Sequence, residues 1–243
     1  MLKVCVIVDV EGFISFKRGN PAWDSWQRLL GRINNLLKCF RYNKKGFEEI
    51  YKLAVKEKFP VTFMLVGSLF APIKKSPKFI DWGYHTLNHK PLTLISDDEL
   101  KEEVKNIYKV VSFSAPMWMI EDTKNPNRVF DALKKTGYKI TVYRGENDGI
   151  RNVHENKISK PIIKQGIKCV YTSNWFDGER KYKIREIIKE IIQNYERDAI
   201  YCITTHDFSN KDMSNFRILI DSLKKMEQNG MINIMNMGQL MRE

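Results

Sequence analysis

Apolar runs and amphipathic stretches alternate about seven times along the 243 residues, and this alternation is the strongest constraint on the fold. The run LKVCVIVD at 2–9 is apolar and rich in valine, which is typical of a strand buried on both faces. Stretches such as KYKIREIIKEIIQNYER at 181–197 carry apolar residues at helical spacing and predict helices that cover such strands. The pattern predicts one parallel α/β domain, and it favours a barrel over an open sheet because no glycine-rich nucleotide loop follows a strand.

Local signals set the bounds of several predicted elements. Ser96 followed by Glu99 has the form of a capping box and predicts a helix over 97–109. The run KFIDWGYHT predicts a strand that ends at His85, KVVSFSAP predicts the next strand, and MINIMNM predicts the last one. The polar composition of 144–166 predicts an irregular connection.

The composition argues against several classes of protein. A hydrophobic fraction of 43% and a charged fraction of 29% are ordinary for a globular domain. No apolar run approaches the ~20 residues of a membrane-spanning helix, and the N-terminal apolar run is too short for a signal peptide. The four cysteines are scattered without a close pair, which indicates reduced, buried thiols. These features predict a cytoplasmic protein.

The net charge of +12 is concentrated in one stretch of the chain. Residues 13–47 contain eight lysines or arginines and a single acid, Asp24. Within this stretch, 22–41 have apolar side chains at helical spacing beside the basic ones, which predicts an amphipathic helix that grips an anionic substrate or rests on an anionic membrane surface. A helix packed on the barrel with a solvated basic flank fits the same pattern. No motif for a specific nucleic acid is present.

Polar side chains collect where the predicted strands end, and the carboxyl ends of parallel strands meet on one face of the fold. Three of the four histidines and two carboxylates lie there: Asp9, Glu11, His85, His89 and His206. Two imidazoles and one carboxylate leave open positions on a divalent ion, the pattern of a catalytic metal site. A second carboxylate can accept a proton from water and a third histidine can protonate a leaving group, roles for which Asp9 and His206 are placed. The sequence therefore predicts metal-assisted hydrolysis of an amide or ester.

These strand-end motifs resemble those of the polysaccharide deacetylases of the NodB-homology type, also called carbohydrate esterase family 4. VDVEG resembles the first motif of that family, HTLNH followed by PLTLISDDELKEEV the second, FSAPMW the third and TTHDF the fifth. The resemblance spans nearly the whole chain in the same order. It implies a distorted (β/α)7-type barrel, a single catalytic domain over 1–243, and a metal-dependent carbohydrate N-deacetylase that removes the acetyl group of an N-acetyl sugar.

The resemblance also implies a role for each matching residue. Asp9 is the expected base and His206 the expected acid. Glu11, His85 and His89 are the expected ligands of a divalent ion, for which the family usually uses Zn²⁺. Residues of the third motif line the family's pocket.

Three further residues are expected at that pocket. Pro116 and Trp118 belong to the third motif, and Trp118 and Trp175 offer aromatic faces on which a pyranose ring can stack. Packing in the core would explain either tryptophan as well.

Two departures from the family's pattern bear on the substrate. The third motif begins with Ser114, where the family has an arginine that orients the base, and YRGEND at 143–148 stands where a fourth motif is expected. Arg144 is a candidate to supply the missing guanidinium from a neighbouring strand end, and Asp207 is an expected neighbour of the acid. The departures keep two alternatives open: hydrolysis of an amide that is not a sugar, and an inactive barrel that binds sugar or lipid.

The basic stretch affects the expected substrate and location. A minimal family member runs from its first motif almost directly into the helix that here begins near Phe47, so 13–45 are expected to form an insertion beside the catalytic mouth. With a cytoplasmic or membrane-peripheral location, the expected substrate is an N-acetyl sugar linked to a lipid or a nucleotide.

Overall fold

The computed structural model describes residues 1–11, 44–121, 124–144, 158–176, 181–193, 198–207 and 213–243, without the side chains of 181 and 182. The predicted basic helix at 22–41 lies outside the described residues, as does all of the predicted 13–45 insertion except its last two positions. None of the described helices is long and apolar enough to cross a membrane.

The described elements alternate in the predicted manner. The strands are β1 (Leu2–Val10), β2 (Val61–Leu65), β3 (Ile80–Tyr84), β4 (Ser112–Phe113), β5 (Ile140–Tyr143), β6 (Ile162–Lys164), β7 (Ile167–Tyr171), β8 (Asn174–Trp175), β9 (Ile200–His206) and β10 (Ile232–Ile234). The helices are α1 (Lys45–Glu57), α2 (Asp97–Glu103), α3 (Arg128–Lys135), α4 (Lys181–Gln193), α5 (Met213–Gln228) and α6 (Met237–Arg242). Single 3₁₀ turns occupy Leu92–Leu94 and Pro116–Trp118.

The described strands form one curled sheet in the order β6-β7-β5-β4-β3-β2-β1-β9-β8, with β10 pairing to β1 outside that path. Neighbouring strands are parallel except for the β6–β7 pair. The predicted single α/β domain with a distorted barrel is confirmed. Because parallel pairing brings the carboxyl ends of the strands together, the polar ends of β1, β3 and β9 share one face of the molecule.

β1 shows how the sequence builds the two sides of this sheet. Its side chains alternate, so Val4 and Val6 pack in the cluster beneath α1, α4 and α5, whereas Cys5 and Ile7 pack inside the curl against residues of β5, β7 and β9. Both faces are buried, which explains the continuous apolar run. Asp9 continues the inward-facing series at the carboxyl end of the strand.

Some local predictions were wrong. Helix α2 ends at Glu103 and not at 109, because Asn106 folds the following chain into a turn. Its side-chain oxygen accepts from the Val110 N–H at 3.0 Å, and its amide donates to the Val110 carbonyl at 2.8 Å. Residues 144–166, predicted to be irregular, contain β6, which pairs antiparallel with β7.

The cysteines agree with the predicted reduced state where the structure describes them. Cys5, Cys169 and Cys202 are buried free thiols. Cys39 lies outside the described residues.

Candidate functional site

The carboxyl ends of β1, β3 and β9 bring the five predicted residues into one group. Asp9 lies opposite His206 in the β1–β9 pairing, Glu11 follows two residues later on the same side of the chain, and His85 directly follows β3. Asp9, Glu11 and His85 are 2%, 6% and 1% exposed, so the site is held in a region of low dielectric. His89, in the loop that follows β3, is the fifth member of the group.

Three of these residues have the composition of a metal site. The nearest ligand atoms of Glu11, His85 and His89 all lie within 4.8 Å of one another. His85 Nε2 is 3.2 Å from Glu11 Oε2, and His89 Nε2 contacts the same oxygen. Two imidazoles and a carboxylate around one point are a donor set that suits Zn²⁺ and related divalent ions.

The contacts of His85 decide which of its nitrogens can act as a ligand. His85 Nδ1 lies 2.9 Å from the carbonyl oxygen of Ser114. A carbonyl oxygen only accepts, so Nδ1 carries a proton and Nε2, which faces Glu11, is the ring nitrogen that can act as a ligand. His85 Nε2 and Glu11 Oε2 are 3.2 Å apart, so a proton on Nε2 can bridge them, and a divalent ion that both atoms bind would take the place of that proton. Ser114 takes part through its backbone and not through its hydroxyl.

His206 faces the same carboxylate but has the opposite kind of partner at Nδ1. The indole N–H of Trp175 donates to His206 Nδ1 at 3.2 Å, so Nδ1 offers a lone pair and Nε2 carries the proton. His206 Nε2 is 3.1 Å from Glu11 Oε1, a distance at which this N–H donates to the carboxylate. The site therefore contains one histidine arranged as a ligand and another arranged as a hydrogen-bond donor.

The loop that carries His89 is held by a buried glutamate that the sequence reasoning missed. Thr86 and His89 adopt left-handed backbone conformations, with φ of 62° and 59°. The carboxylate of Glu103, 1% exposed, accepts from the backbone N–H of Asn88 at 2.8 Å and from its side-chain amide at 2.9 Å. The backbone oxygen of Glu103 also accepts from the Leu87 N–H at 2.9 Å. The sequence signal that could have indicated this role is the position of Glu103, a carboxylate on the apolar face of α2.

The pKa values of Asp9 and Glu11 are shifted in opposite directions. Burial raises the pKa of Asp9, although the imidazoles of His85 and His206 oppose the shift. Burial acts upward on Glu11 as well, but the charge of His89 and the hydrogen bonds from three histidines outweigh it and hold its pKa well below the ordinary value. Burial lowers the pKa of His85, but Asp9 and Glu11 raise it, and the net shift is upward. Asp9 Oδ1 is buried with no hydrogen-bond partner among the described residues.

Asp207 supports the site from a different position than expected. Its carboxylate accepts from the Glu11 N–H at 3.3 Å, and its own N–H donates to the Asp9 carbonyl at 3.2 Å. It therefore ties the end of β1 to the end of β9, while the His206 ring contacts Trp175 and Glu11.

The remaining predicted residues lie in two places. Pro116 and Trp118 are buried, and Trp118 packs in the cluster inside the curl and meets Trp175 edge-on with ring centroids 6.3 Å apart. Arg144 directly follows β5 and is 8% exposed. The burial of Trp118 and its contact with Trp175 favour packing as the role of Trp118.

Comparisons with known proteins agree with the fold. No protein-family model and no curated protein sequence matches the chain. A solved structure of a protein from Mycobacterium smegmatis assigned to the polysaccharide deacetylases matches 99% of this chain and 89% of its own, with 13% identity and a TM-score of 0.65. The chain has the polysaccharide deacetylase fold.

Two other solved structures share this polysaccharide deacetylase fold. A family 4 carbohydrate esterase from Streptomyces lividans, in complex with acetate, is 9% identical and has a TM-score of 0.50, covering 95% of this chain and 90% of that one. A mutant of a CE4 family pseudoenzyme is 13% identical and has a TM-score of 0.52, covering 98% of this chain and 66% of that one. Because a pseudoenzyme has the polysaccharide deacetylase fold too, an activity must be argued from the residues of the site.

Proposed function

We propose that the protein is a metal-dependent hydrolase that removes the acetyl group from an N-acetylated carbohydrate. The observation that carries this proposal is the pair of histidines with opposite Nδ1 partners around Glu11. His85 donates from Nδ1 to the Ser114 carbonyl and turns Nε2, the possible ligand, toward this carboxylate, and His206 directs an N–H at it. Metal-assisted acyl transfer needs such a ligand and such a donor side by side.

Glu11, His85 and His89 are the residues that would hold the ion. When bound, a divalent ion supplies Lewis acidity that polarises an acyl oxygen and acidifies water, and Zn²⁺ is the proposed ion because of the two imidazole ligands. The family resemblance supports the same three residues. The low pKa of Glu11 keeps its carboxylate charged for this role.

Asp9 and His206 are the proposed proton carriers. The buried Oδ1 of Asp9 has no hydrogen-bond partner among the described residues, and burial raises the affinity of this carboxylate for a proton, which suits a general base. In the reaction, the water oxygen bonds to the acetyl carbon and its proton passes to Asp9. The C–N bond breaks as the nitrogen takes the Nε2 proton of His206, and the proton that Asp9 took from water then passes to His206, which restores both groups. The products are acetate and a free amine.

Acetate release and bound metal together test the proposal. The purified protein is assayed with N-acetylglucosamine oligomers and with nucleotide-linked N-acetyl sugars, and its metal content is measured at neutral pH. We expect about one ion per chain, acetate release, and a loss of at least 100-fold in kcat for Asp9→Asn with metal retained. Asp98→Asn, at an exposed carboxylate, serves as the matched control.

Two outcomes would contradict it. Absence of metal from the wild-type protein would overturn the metal site. Bound metal without acetate release from either sugar class would overturn the deacetylase, and hydrolysis of a non-sugar amide would then be the better proposal. Ser114 favours that second candidate, since the family's base-orienting arginine is missing at this position.

We also propose that the substrate is linked to a lipid or a nucleotide and that the protein is cytoplasmic or membrane-peripheral. The supporting feature is the basic stretch at 13–47. Co-sedimentation with anionic liposomes tests the membrane contact by comparing the wild type with a deletion of 22–41. Equal binding of both proteins would overturn the proposed membrane contact.

Arg144 and Pro116 keep their predicted roles as proposals. Arg144 is proposed to orient Asp9, and Pro116 to line the pocket. An unchanged kcat in Arg144→Ala would rule out the first role.

A further inference from the structure

We propose that Trp175 is a positioning residue that fixes His206 in the Nε2–H tautomer and aims this N–H into the site. The inference rests on the proposed function, because it concerns the proton donor of that site. Trp175 lies on β8, whose parallel pairing with β9 places it opposite Thr204, two residues before His206. The Trp175 and His206 rings meet edge-on, with centroids 5.4 Å apart and an interplanar angle of 71°.

Two independent contacts require the same tautomer. The indole N–H can only donate, so its 3.2 Å contact requires a lone pair on His206 Nδ1. On the other side of the ring, the ionised carboxylate of Glu11 can only accept, so its 3.1 Å contact requires a proton on His206 Nε2. Without the indole N–H, only the Glu11 contact would favour this tautomer, and Nδ1 would be free to carry the proton in part of the molecules.

The indole is itself held from both sides. Asn174, the preceding residue, donates from its amide to Glu190 Oε2 on α4 at 2.9 Å. The next residue, Phe176, donates from its backbone N–H to the Thr204 carbonyl at 2.7 Å. Trp118 packs edge-on against the Trp175 ring. The N–H edge of Trp175 is therefore bound to His206. This role differs from the sugar stacking predicted from the sequence, which would use the face of the ring.

The chain offers a matched control for this hydrogen bond. Trp118 neighbours Trp175 and is also largely buried, but its indole N–H has no hydrogen-bond partner among the described residues. Trp175→Phe removes a ring nitrogen that donates to His206, whereas Trp118→Phe removes one that has no such partner. Because both variants lose similar packing contacts, a difference between them reports the effect of the hydrogen bond.

The tautomer can be measured directly on the metal-free full chain by ¹⁵N NMR of labelled histidines, with the His206 signals assigned from His206→Asn. We expect wild-type and Trp118→Phe proteins to show a protonated Nε2 and an unprotonated Nδ1 at His206. Trp175→Phe is expected to show a mixture of tautomers. A proton on Nδ1 in the wild type, or an unchanged tautomer in Trp175→Phe, would overturn the proposal. Because this measurement needs no activity, it stands apart from any failure of the proposed function.

A comparison of leaving groups tests the consequence for the reaction. An N-acetyl amide needs a proton on its nitrogen to leave, whereas 4-nitrophenyl acetate releases a stable phenolate without one. We expect Trp175→Phe to lower kcat by about 10- to 100-fold on the amide and by less than about 3-fold on the ester, with little change in KM. Trp118→Phe should keep the wild-type ratio of the two rates. Equal losses on both substrates in Trp175→Phe would show a general structural defect and overturn the positioning role.

Discussion

His85 and His206 approach Glu11 from different strands and have opposite kinds of hydrogen-bond partner at Nδ1, an acceptor for His85 and a donor for His206. The Ser114 carbonyl fixes one ring and the Trp175 indole fixes the other. Neither histidine could be assigned as ligand or donor from its own position, since an unconstrained imidazole can present either nitrogen. At the scale of the residue, the hydrogen-bond partner of Nδ1 in each histidine therefore determines what Nε2 can do in the site.

The carboxylate of Glu103 provides a test of how the loop positions His89. Gln at this position keeps the size but replaces one of two acceptor oxygens with a donor, opposite the Asn88 N–H groups that Glu103 now binds. We expect Glu103→Gln to lower zinc affinity by about 10-fold, the usual cost of disturbing a group behind a ligand. Competition with a chelating dye measures it. Glu102→Gln, at the exposed neighbouring position, should retain wild-type affinity, and equal effects of the two variants would contradict the prediction.

Ser114 gives the complementary prediction. The group that binds His85 is the backbone carbonyl of Ser114, while its hydroxyl is buried with no hydrogen-bond partner among the described residues. Ser114→Ala should therefore leave zinc affinity within about 2-fold of the wild type, because the ligand's partner is retained. The same competition assay checks this, with His85→Asn as the positive control. A large loss in Ser114→Ala would show that the hydroxyl contributes.

The sequence could predict this site only in part, for a physical reason. Strand ends and residue types are local features, so Asp9, Glu11 and the histidines could be expected to meet. The tautomers could not be predicted, because Ser114 and Trp175 reach their histidines through strand pairing across 29 and 31 residues of sequence. Glu103 was missed because a glutamate in an acidic helix, DDELKEE, resembles a solvated residue until its burial is known.

At the scale of the elements, the C-terminal helix α6 closes the barrel at the end opposite the site. Its first turn is capped by Asn236, the Met237 N–H donates to Thr62 Oγ1 at 2.8 Å, and the Gly238 N–H donates to Asp81 Oδ2 at 3.1 Å. Thr62 and Asp81 lie near the amino ends of β2 and β3. The approach at Gly238 is close, since a Cβ there would lie 2.7 Å from Asp81 Oδ1, so this contact requires glycine.

Asp81 makes the stability of this contact depend on pH. Burial raises the pKa of Asp81 above its ordinary value of 3.8, although hydrogen bonds from Ser112, Gly238 and Thr62 partly oppose the shift. The folded carboxyl therefore keeps its proton to a higher pH than the unfolded one. As pH rises from about 4 through the raised pKa, the free energy of unfolding of the wild type should fall relative to that of Asp81→Asn. Urea denaturation of both proteins from pH 4 to 8 measures the difference, and a pH-independent difference would contradict the prediction.

Element boundaries were predicted where a local signal exists and missed where pairing creates the element. The Ser96–Glu99 capping box marks the start of α2 in both the sequence and the structure. The end of α2 depends on the Asn106 turn, and the two- and three-residue strands β8 and β6 are too short for an apolar alternation. Such strands form because neighbours are already in place, which no local pattern records.

At the scale of the whole molecule, the two ends of the curled sheet have different roles. The amino ends of β2 and β3 anchor α6 through buried hydrogen bonds, and the carboxyl ends of β1, β3 and β9 hold the ionisable group. β1 connects the two because it pairs with β2, β9 and β10. Glu11 is placed by this central strand, whereas His85 is placed by β3, with β2 between them.

A bound ion would therefore link two separate strands, and its effect should appear in the stability of the entire fold. With free zinc at 100 times its dissociation constant, binding to the folded state alone raises the free energy of unfolding by about 2.7 kcal/mol. Urea denaturation at fixed pH, with zinc and with a chelator, measures this difference in the wild type. His89→Asn removes one ligand whose contact with Glu11 lies at the centre of the group, and it should lose most of the zinc effect while unfolding normally in chelator. If zinc stabilised His89→Asn as much as the wild type, the ion would be binding elsewhere on the chain.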